Sequence, residues 1–146
     1  VDGSLGKRTN QGVVERKFVA APGACAAGQI EFGLVAGQAV GTFLKTRDQL
    51  FSQITSSTYC FDPATGEFSG HDTAIITGGT GEFEGATGSF EQNYTGSILL
   101  GDFDPASNQV FGPFRGEALG TINLPKKVTP QDGIKHEGFP HGRKCD

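Results

Sequence analysis

Glycine restricts the fold of this chain more than any other residue type. It occupies 23 of 146 positions, and many of these lie inside otherwise strand-like segments. A glycine in a helix interior costs about 1 kcal/mol relative to alanine, so this density excludes a helix bundle. Hydrophobic residues still make up 36% of the chain, which is too much for a disordered protein. The chain is therefore predicted to form one β-rich domain.

Alternation of apolar with polar or small residues identifies the strands. At 29–35, for example, Ile30, Phe32 and Leu34 alternate with Gln29, Glu31 and Gly33. About eight strand-like segments follow one another: 12–20, 29–35, 39–44, 50–61, 71–77, 82–89, 90–100 and 109–123. The segment at 50–61 is long enough to need a bulge or a bend.

Short strands at regular turn spacing are typical of a sandwich or a closed barrel. Glycines inside the strands favour the barrel, because tight coiling needs kinks without a Cβ atom. We therefore predict an eight-stranded antiparallel closed β-barrel over 12–124. A flexible lead-in at 1–11 precedes it, and an irregular tail at 125–146, rich in proline and basic residues, follows it.

Two similar segments, FDPATGEFSG at 61–70 and FDPASNQVFG at 103–112, predict turns. The proline that follows the aspartate has a fixed φ angle. The glycine or asparagine three residues after the proline can adopt the left-handed conformation that closes a hairpin. Neither segment has the spaced oxygen ligands and late glutamate of a calcium-binding loop. Both are predicted to be hairpin turns.

A glycine-rich motif lies at 75–90, with the sequence IITGGTGEFEGATGSF. It lacks the Gly-Lys-Ser/Thr ending of a phosphate-binding loop, and Glu82 and Glu84 would repel a phosphate. The motif resembles the signature of the allene oxide cyclase family and, more loosely, a segment of plant dirigent proteins, which share an eight-stranded antiparallel barrel. In that fold Phe83 would plug the end of the barrel or the gap beneath it, and Ala86 and Gly88 would let a neighbouring strand lie close. The resemblance extends over about 29–124.

This resemblance implies a barrel that encloses a hydrophobic small molecule. Allene oxide cyclases close an epoxide fatty acid into a cyclopentenone, and dirigent proteins steer the coupling of phenoxyl radicals with Asp, Arg and Tyr side chains. The predicted function is directed cyclisation or stereoselective coupling without a cofactor. The chain has no counterpart of the cyclases' Gly-Asp-Leu-Val-Pro-Phe loop and first-strand acid, nor a sequence match to the dirigent residues, so whether it is an enzyme stays open. The alternative is a non-catalytic binding or structural module that acts through its surface or by self-assembly.

Five polar residues lie on predicted strands whose other face is apolar. They would bind a ligand if they point into the barrel, and they would be solvated if they point outward. Arg115 opposite a carboxylate could hold an acidic ligand. The ligand-binding candidates are Glu31, Tyr59, Asp72, Arg115 and Glu117.

Metal and nucleic-acid functions are not predicted. His71, His136, His141 and Cys145 lack the spacing of a zinc site. The net charge of −4 offers no broad basic surface for a phosphate backbone. No run approaches the roughly 20 apolar residues of a membrane-spanning helix.

Several features predict a secreted protein. The sequence starts at Val1 and contains no methionine, as expected after cleavage of a signal, and Asn93-Tyr94-Thr95 is a glycosylation acceptor triplet. Three cysteines allow one intramolecular disulfide, for which we favour Cys25 with Cys60; the alternative is three reduced thiols. Related barrels assemble through their outer faces, which implies a homodimer or a homotrimer.

Overall fold

A computed structural model describes residues 5–20, 23–98 and 112–125. The fold is all-β, as predicted. A 3-10 turn, Gly81–Phe83, is the only helical segment in these ranges. The strands are β1 (Arg8–Phe18), β2 (Ile30–Phe43), β3 (Gln49–Phe61), β4 (Glu67–Gly79), β5 (Thr87–Ser97) and β6 (Phe114–Asn123). No helix within the described ranges has the length and hydropathy needed to cross a bilayer.

The six strands form one antiparallel sheet in which each strand pairs with the next along the chain. The sheet coils, so that β1 side chains reach across its concave face to β5: the Arg8 guanidinium carbon lies 5.0 Å from the centre of the Phe90 ring. Among the described residues β1 and β6 do not pair with each other, and the sheet is open. Closure into an eight-stranded barrel stays a prediction.

Some strand boundaries differ from those expected. β1 begins at Arg8, inside the segment predicted as a lead-in, and the segments predicted at 29–35 and 39–44 form the single strand β2. Gly37 does not interrupt β2, because its missing Cβ makes room for Ile54 of β3; a Cβ atom there would lie 3.0 Å from Ile54 Cδ1. The segment at 82–89 is mostly a turn before β5. The second predicted hairpin turn, and all of the tail beyond residue 125, lie outside the described residues.

The irregularity predicted in β3 is present as a bulge at Thr55, between the pairs Ile54–Ala74 and Ser56–Thr73, and a second shift, between Phe51 and Ser52, has its extra residue in β4. Each shift lets the strand coil more tightly than a regular ladder would. The first predicted hairpin turn is also present. Asp62 Oδ1 accepts a hydrogen bond of 2.8 Å from the Ala64 N–H, and Gly66 has φ of 75°.

The core lies at one end of the sheet, under the glycine-rich motif. Phe83 is 1% exposed and stacks on Phe43 with ring centres 4.7 Å apart, and Leu50, Ile76 and Ala86 are buried beside it. Gly88 lets β6 approach, because a Cβ atom there would collide with the carbonyl oxygen of Thr121. Gly88 thus takes the structural role that the motif predicts, whereas Phe83 as the plug of a closed barrel stays a prediction.

Cys25 and Cys60 form the predicted disulfide, with Cα atoms 5.5 Å apart. It ties the connection between β1 and β2 to the end of β3. Disulfides persist mainly in oxidising compartments. Secretion itself stays a prediction.

Candidate functional site

A row of six aromatic rings crosses the concave face, with one ring from each strand. Centres of neighbouring rings are 5.2 to 6.4 Å apart, within the usual range for interacting aromatic side chains. In strand order, the aromatic row consists of Phe18, Phe32, Tyr59, Phe68, Tyr94 and Phe114.

Glycines make room for this row. Gly70 of β4 pairs with both Tyr59 and Tyr94, and a Cβ atom at this position would collide with the Tyr94 ring. Gly96 of β5 does the same for the Phe68 ring. The Tyr94 and Phe68 rings therefore occupy the space that a Cβ atom of the neighbouring strand would fill, and the glycines of β4 and β5 serve the site directly.

A buried carboxylate lies beside the aromatic row. Asp72 of β4 is 2% exposed, and its two oxygens accept hydrogen bonds from the Tyr94 hydroxyl at 3.2 Å and from Gln92 Nε2 at 3.3 Å. Arg16 Nη2 lies 4.0 Å from Asp72 Oδ1 and provides the opposite charge. A charge this deeply buried requires such partners.

Arg16 connects β1 to three other strands. Its Nη2 atom donates to the Tyr94 hydroxyl oxygen at 2.8 Å and to Ser57 Oγ at 3.4 Å, and its guanidinium carbon lies 4.6 Å from the centre of the Tyr59 ring. Its Nε atom is buried and has no hydrogen-bond acceptor within the described part of the chain. Arg16, Ser57, Asp72, Gln92 and Tyr94 are called the polar cluster below.

Burial extends to higher pH the range over which both tyrosines of the site stay protonated. Desolvation raises the pKa of Tyr59 to about 12, although the nearby Arg16 charge opposes the shift. Desolvation also raises the pKa of Tyr94, again against the effect of Arg16. Both side chains are therefore neutral phenols at physiological pH, and the Tyr94 hydroxyl can donate to Asp72 while it accepts from Arg16.

These pKa shifts predict a loss of stability at high pH. In the unfolded chain Tyr59 loses its proton near pH 10, whereas in the folded chain it keeps the proton to about pH 12. The free energy of unfolding should therefore be unaffected by Tyr59 below pH 10 and should fall as the pH rises from 10 to 12, because the unfolded state then binds fewer protons. Chemical denaturation between pH 9 and pH 12 measures the free energy of unfolding. The absorbance of tyrosinate in the folded protein over the same range follows the loss of the tyrosine protons. Tyr59→Phe keeps the ring and should remove part of the fall in the free energy of unfolding. If this variant loses as much stability as the starting protein, the fall does not arise from Tyr59.

An open groove of about 590 Å³ lies at the end of the sheet opposite Phe83. Phe68 and Phe114, two members of the aromatic row, line it, together with the polar residues Asp62, Glu67 and Arg115. Its volume is in the range of small-molecule sites. The space farther inside the concave face, around Ile54, Ala74 and Phe90, is about 10 Å³, enough for a single water molecule.

The structure brings two of the five candidate ligand-binding residues together. Tyr59 and Asp72 both lie on the concave face and both contact Arg16. Arg115 and Glu117 are exposed on the outer face of β6, with Arg115 at the groove. Glu31 accepts hydrogen bonds from the Gly23 and Ala24 N–H groups at 2.9 and 3.0 Å, and these bonds lower its pKa. Glu31 therefore holds the connection between β1 and β2.

Sequence reasoning did not single out Arg16 and Tyr94, the two residues that complete the site. Arg16 shares its face of β1 with Arg8, Asn10 and Val14, so strict alternation along this strand could have placed it on the concave side. Tyr94 is the middle residue of the glycosylation triplet, and nothing in its sequence neighbourhood marks it as part of a site. No sequence signal indicates that the two side chains meet, since they are 78 positions apart.

The predicted glycosylation site lies away from the concave face. Asn93 is exposed on β5, and its Oδ1 atom is 2.9 Å from His71 Nδ1. His136, His141 and Cys145 lie outside the described residues. Within the described ranges, no three His, Cys, Asp or Glu side chains are grouped as a metal site would require.

Comparison with protein-family models, curated proteins and solved structures found no match to this chain. The motif at 75–90 and the geometry of the concave face are therefore the two features from which we infer a function.

Proposed function

We propose that this chain binds a hydrophobic small molecule at the groove end of the aromatic row and directs its cyclisation or stereoselective coupling without a cofactor. The observation that carries the proposal is the aromatic row itself, because two of its rings, Phe68 and Phe114, line the groove. The resemblance of the motif at 75–90 to allene oxide cyclases and dirigent proteins supports the same class of function.

The chemistry of the site fits this role. Phe114 is 44% exposed and offers an apolar surface in the groove, while Phe68 behind it is buried. The groove itself offers the polar side chains of Asp62, Glu67 and Arg115, while the polar cluster lies behind the aromatic row and fixes Tyr94. Such a site can hold one reactive conformer of a ligand and orient a hydroxyl or carbonyl group, which removes much of the entropic barrier.

The proposal does not depend on a closed barrel, because β1–β6 alone form the aromatic row and the groove. A closed eight-stranded barrel, secretion and glycosylation at Asn93 stay predictions. In coupling chemistry a separate one-electron oxidant would generate the radicals, and the protein would only orient them.

Binding of two probes tests the proposal. We expect a propenylphenol or a long-chain unsaturated fatty acid to bind the protein saturably in isothermal titration calorimetry. Phe114→Ala should weaken this binding about tenfold or more, because it removes the exposed ring of the groove. Leu119→Ala is the matched control: it removes an apolar side chain from the other face of the same strand, where it is 85% exposed, and should leave the affinity unchanged.

The proposal is contradicted if neither probe binds saturably. It is also contradicted if Phe114→Ala and Leu119→Ala weaken the binding equally. Directed chemistry has its own test. Radical coupling of the propenylphenol by a chemical oxidant should give a racemic product without the protein and an enantiomeric excess with it.

The packed interior favours one second candidate, a non-catalytic structural or binding module. With room for about one water molecule between β1 and β5, the concave face near Ala74 encloses no ligand. A chain that binds neither probe but assembles with itself would support this alternative.

A further inference from the structure

The two edges of the described sheet differ in their protection against pairing with another chain. An edge strand carries unpaired N–H and C=O groups, and proteins usually protect it with charges, bulges or inward-pointing charged residues. β1 has such protection: its pairing with β2 shifts between Glu15 and Arg16, Lys17 is exposed, and Arg8 and Arg16 point inward.

β6 lacks most of this protection. It is ten residues long, contains no proline, and pairs with β5 in unbroken register. Among the described residues no strand pairs with its other edge, and Leu119 at its centre is 85% exposed. An edge of this kind is well suited to accept another strand.

We propose that β6 pairs with β6 of a second copy of this chain, so that two sheets join into one antiparallel sheet across a twofold axis. Two identical antiparallel strands on such an axis must place one residue opposite itself. If the twofold axis passed between two residues, a side chain on the concave face would lie opposite a side chain on the outer face. Residues paired across neighbouring strands point to the same face, so this arrangement is excluded. The choice of the central residue therefore fixes the whole register.

The charges of β6 select the centre. On the outer face, Arg115 and Glu117 are separated by Gly116. A centre at Arg115 or Glu117 would set like charges directly opposite each other, which destabilises a strand pair. A centre at Gly116 sets Arg115 opposite the partner's Glu117 and Glu117 opposite the partner's Arg115. No other centre gives an opposite-charge pair, so β6 is complementary to itself in a single register.

The same register also suits the apolar residues of the edge. It sets Leu119 opposite the partner's Pro113 on the outer face, and Phe114 opposite the partner's Ala118 on the concave face. The exposed Leu119 side chain thereby gains an apolar neighbour, and the free backbone groups of β6 gain partners.

Sedimentation velocity of the full chain tests this inference. All samples carry Cys145→Ser, so that an intermolecular disulfide cannot link two copies. We expect a dimer, and we expect Arg115→Glu or Glu117→Arg alone to raise its dissociation constant about tenfold or more. The double variant Arg115→Glu/Glu117→Arg swaps the two charges and should restore the dimer.

Glu91→Arg is the matched control, because Glu91 is an exposed acid on the outer face of the neighbouring strand β5. This variant should dimerise like the starting protein, and far-UV circular dichroism confirms that each variant is folded. The inference is overturned if the chain stays monomeric, as it would if its own residues covered the β6 edge in a closed barrel. It is also overturned if the swap fails to restore the dimer, or if Glu91→Arg dissociates it equally.

Discussion

Replacing Phe83 by alanine should lower the free energy of unfolding by about 3–5 kcal/mol, the usual cost of removing a fully buried phenylalanine ring. Phe83 is 1% exposed and stacks on Phe43 at the end of the sheet. It lies on a short 3-10 turn whose backbone is held by hydrogen bonds from the Phe83 N–H to Thr80 O and from the Ala86 N–H to Phe83 O. We therefore expect the backbone to keep its position and to leave the space of the ring unfilled. Denaturant unfolding followed by circular dichroism measures the loss.

Phe18→Ala is the control for this experiment. Phe18 is 63% exposed and contacts one other ring, that of Phe32, edge-on at 6.4 Å. Its removal should cost at most about 1 kcal/mol. Equal losses in the two variants would show that Phe83 does not anchor the core, and the structural role derived from the glycine-rich motif would be wrong.

The parts of the fold that depend on local sequence could be predicted. Alternation at 29–35 indicates a strand because side chains of a strand point to opposite faces in turn. Asp62 and Gly66 predict a turn because their preferred conformations are those the turn requires. The pairing of Cys25 with Cys60 was favoured among the three cysteines and is present in the structure.

The site could not be predicted, because it depends on the register between strands. Tyr94 meets Arg16 only when β1 coils over the concave face toward β5, and nothing in either segment specifies that approach. Bulges add a second difficulty. The shift between Ile54 and Ser56 brings Ser57 instead of Ser56 to the concave face, so simple alternation along β3 fails at that point.

Glycine illustrates both the strength and the limit of sequence reasoning. The glycine content correctly excluded a helical fold and indicated a coiled sheet. Glycine has a second role at Gly70 and Gly96, where the missing Cβ atom leaves space for the Tyr94 and Phe68 rings. This role is visible only from the cross-strand pairs in the structure. A ring over a glycine buries the exposed backbone of the neighbouring strand, so these positions stabilise the sheet as well as shape the site.

Asp72→Ala should lower the free energy of unfolding by about 3–5 kcal/mol, the typical cost of removing one partner from a buried ion pair. The variant leaves the Arg16 charge without its carboxylate and the Tyr94 hydroxyl and Gln92 amide without their acceptor. Asp72→Asn keeps the shape and one acceptor oxygen, so its loss should be smaller. Denaturant unfolding at neutral pH gives both values.

A double-mutant cycle with Arg16→Met separates the charge from the packing. Methionine preserves much of the apolar stem of Arg16 but removes the charge that Asp72→Ala leaves uncompensated, so the double variant should be less destabilised than the sum of the two single variants. Glu91→Gln, a change at an exposed acid of β5, should stay within about 0.5 kcal/mol of the starting protein. Additive losses from Arg16→Met and Asp72→Ala would mean that the two residues act independently. The polar cluster would then be a set of separate hydrogen bonds and not a coupled unit that fixes Tyr94 in the aromatic row.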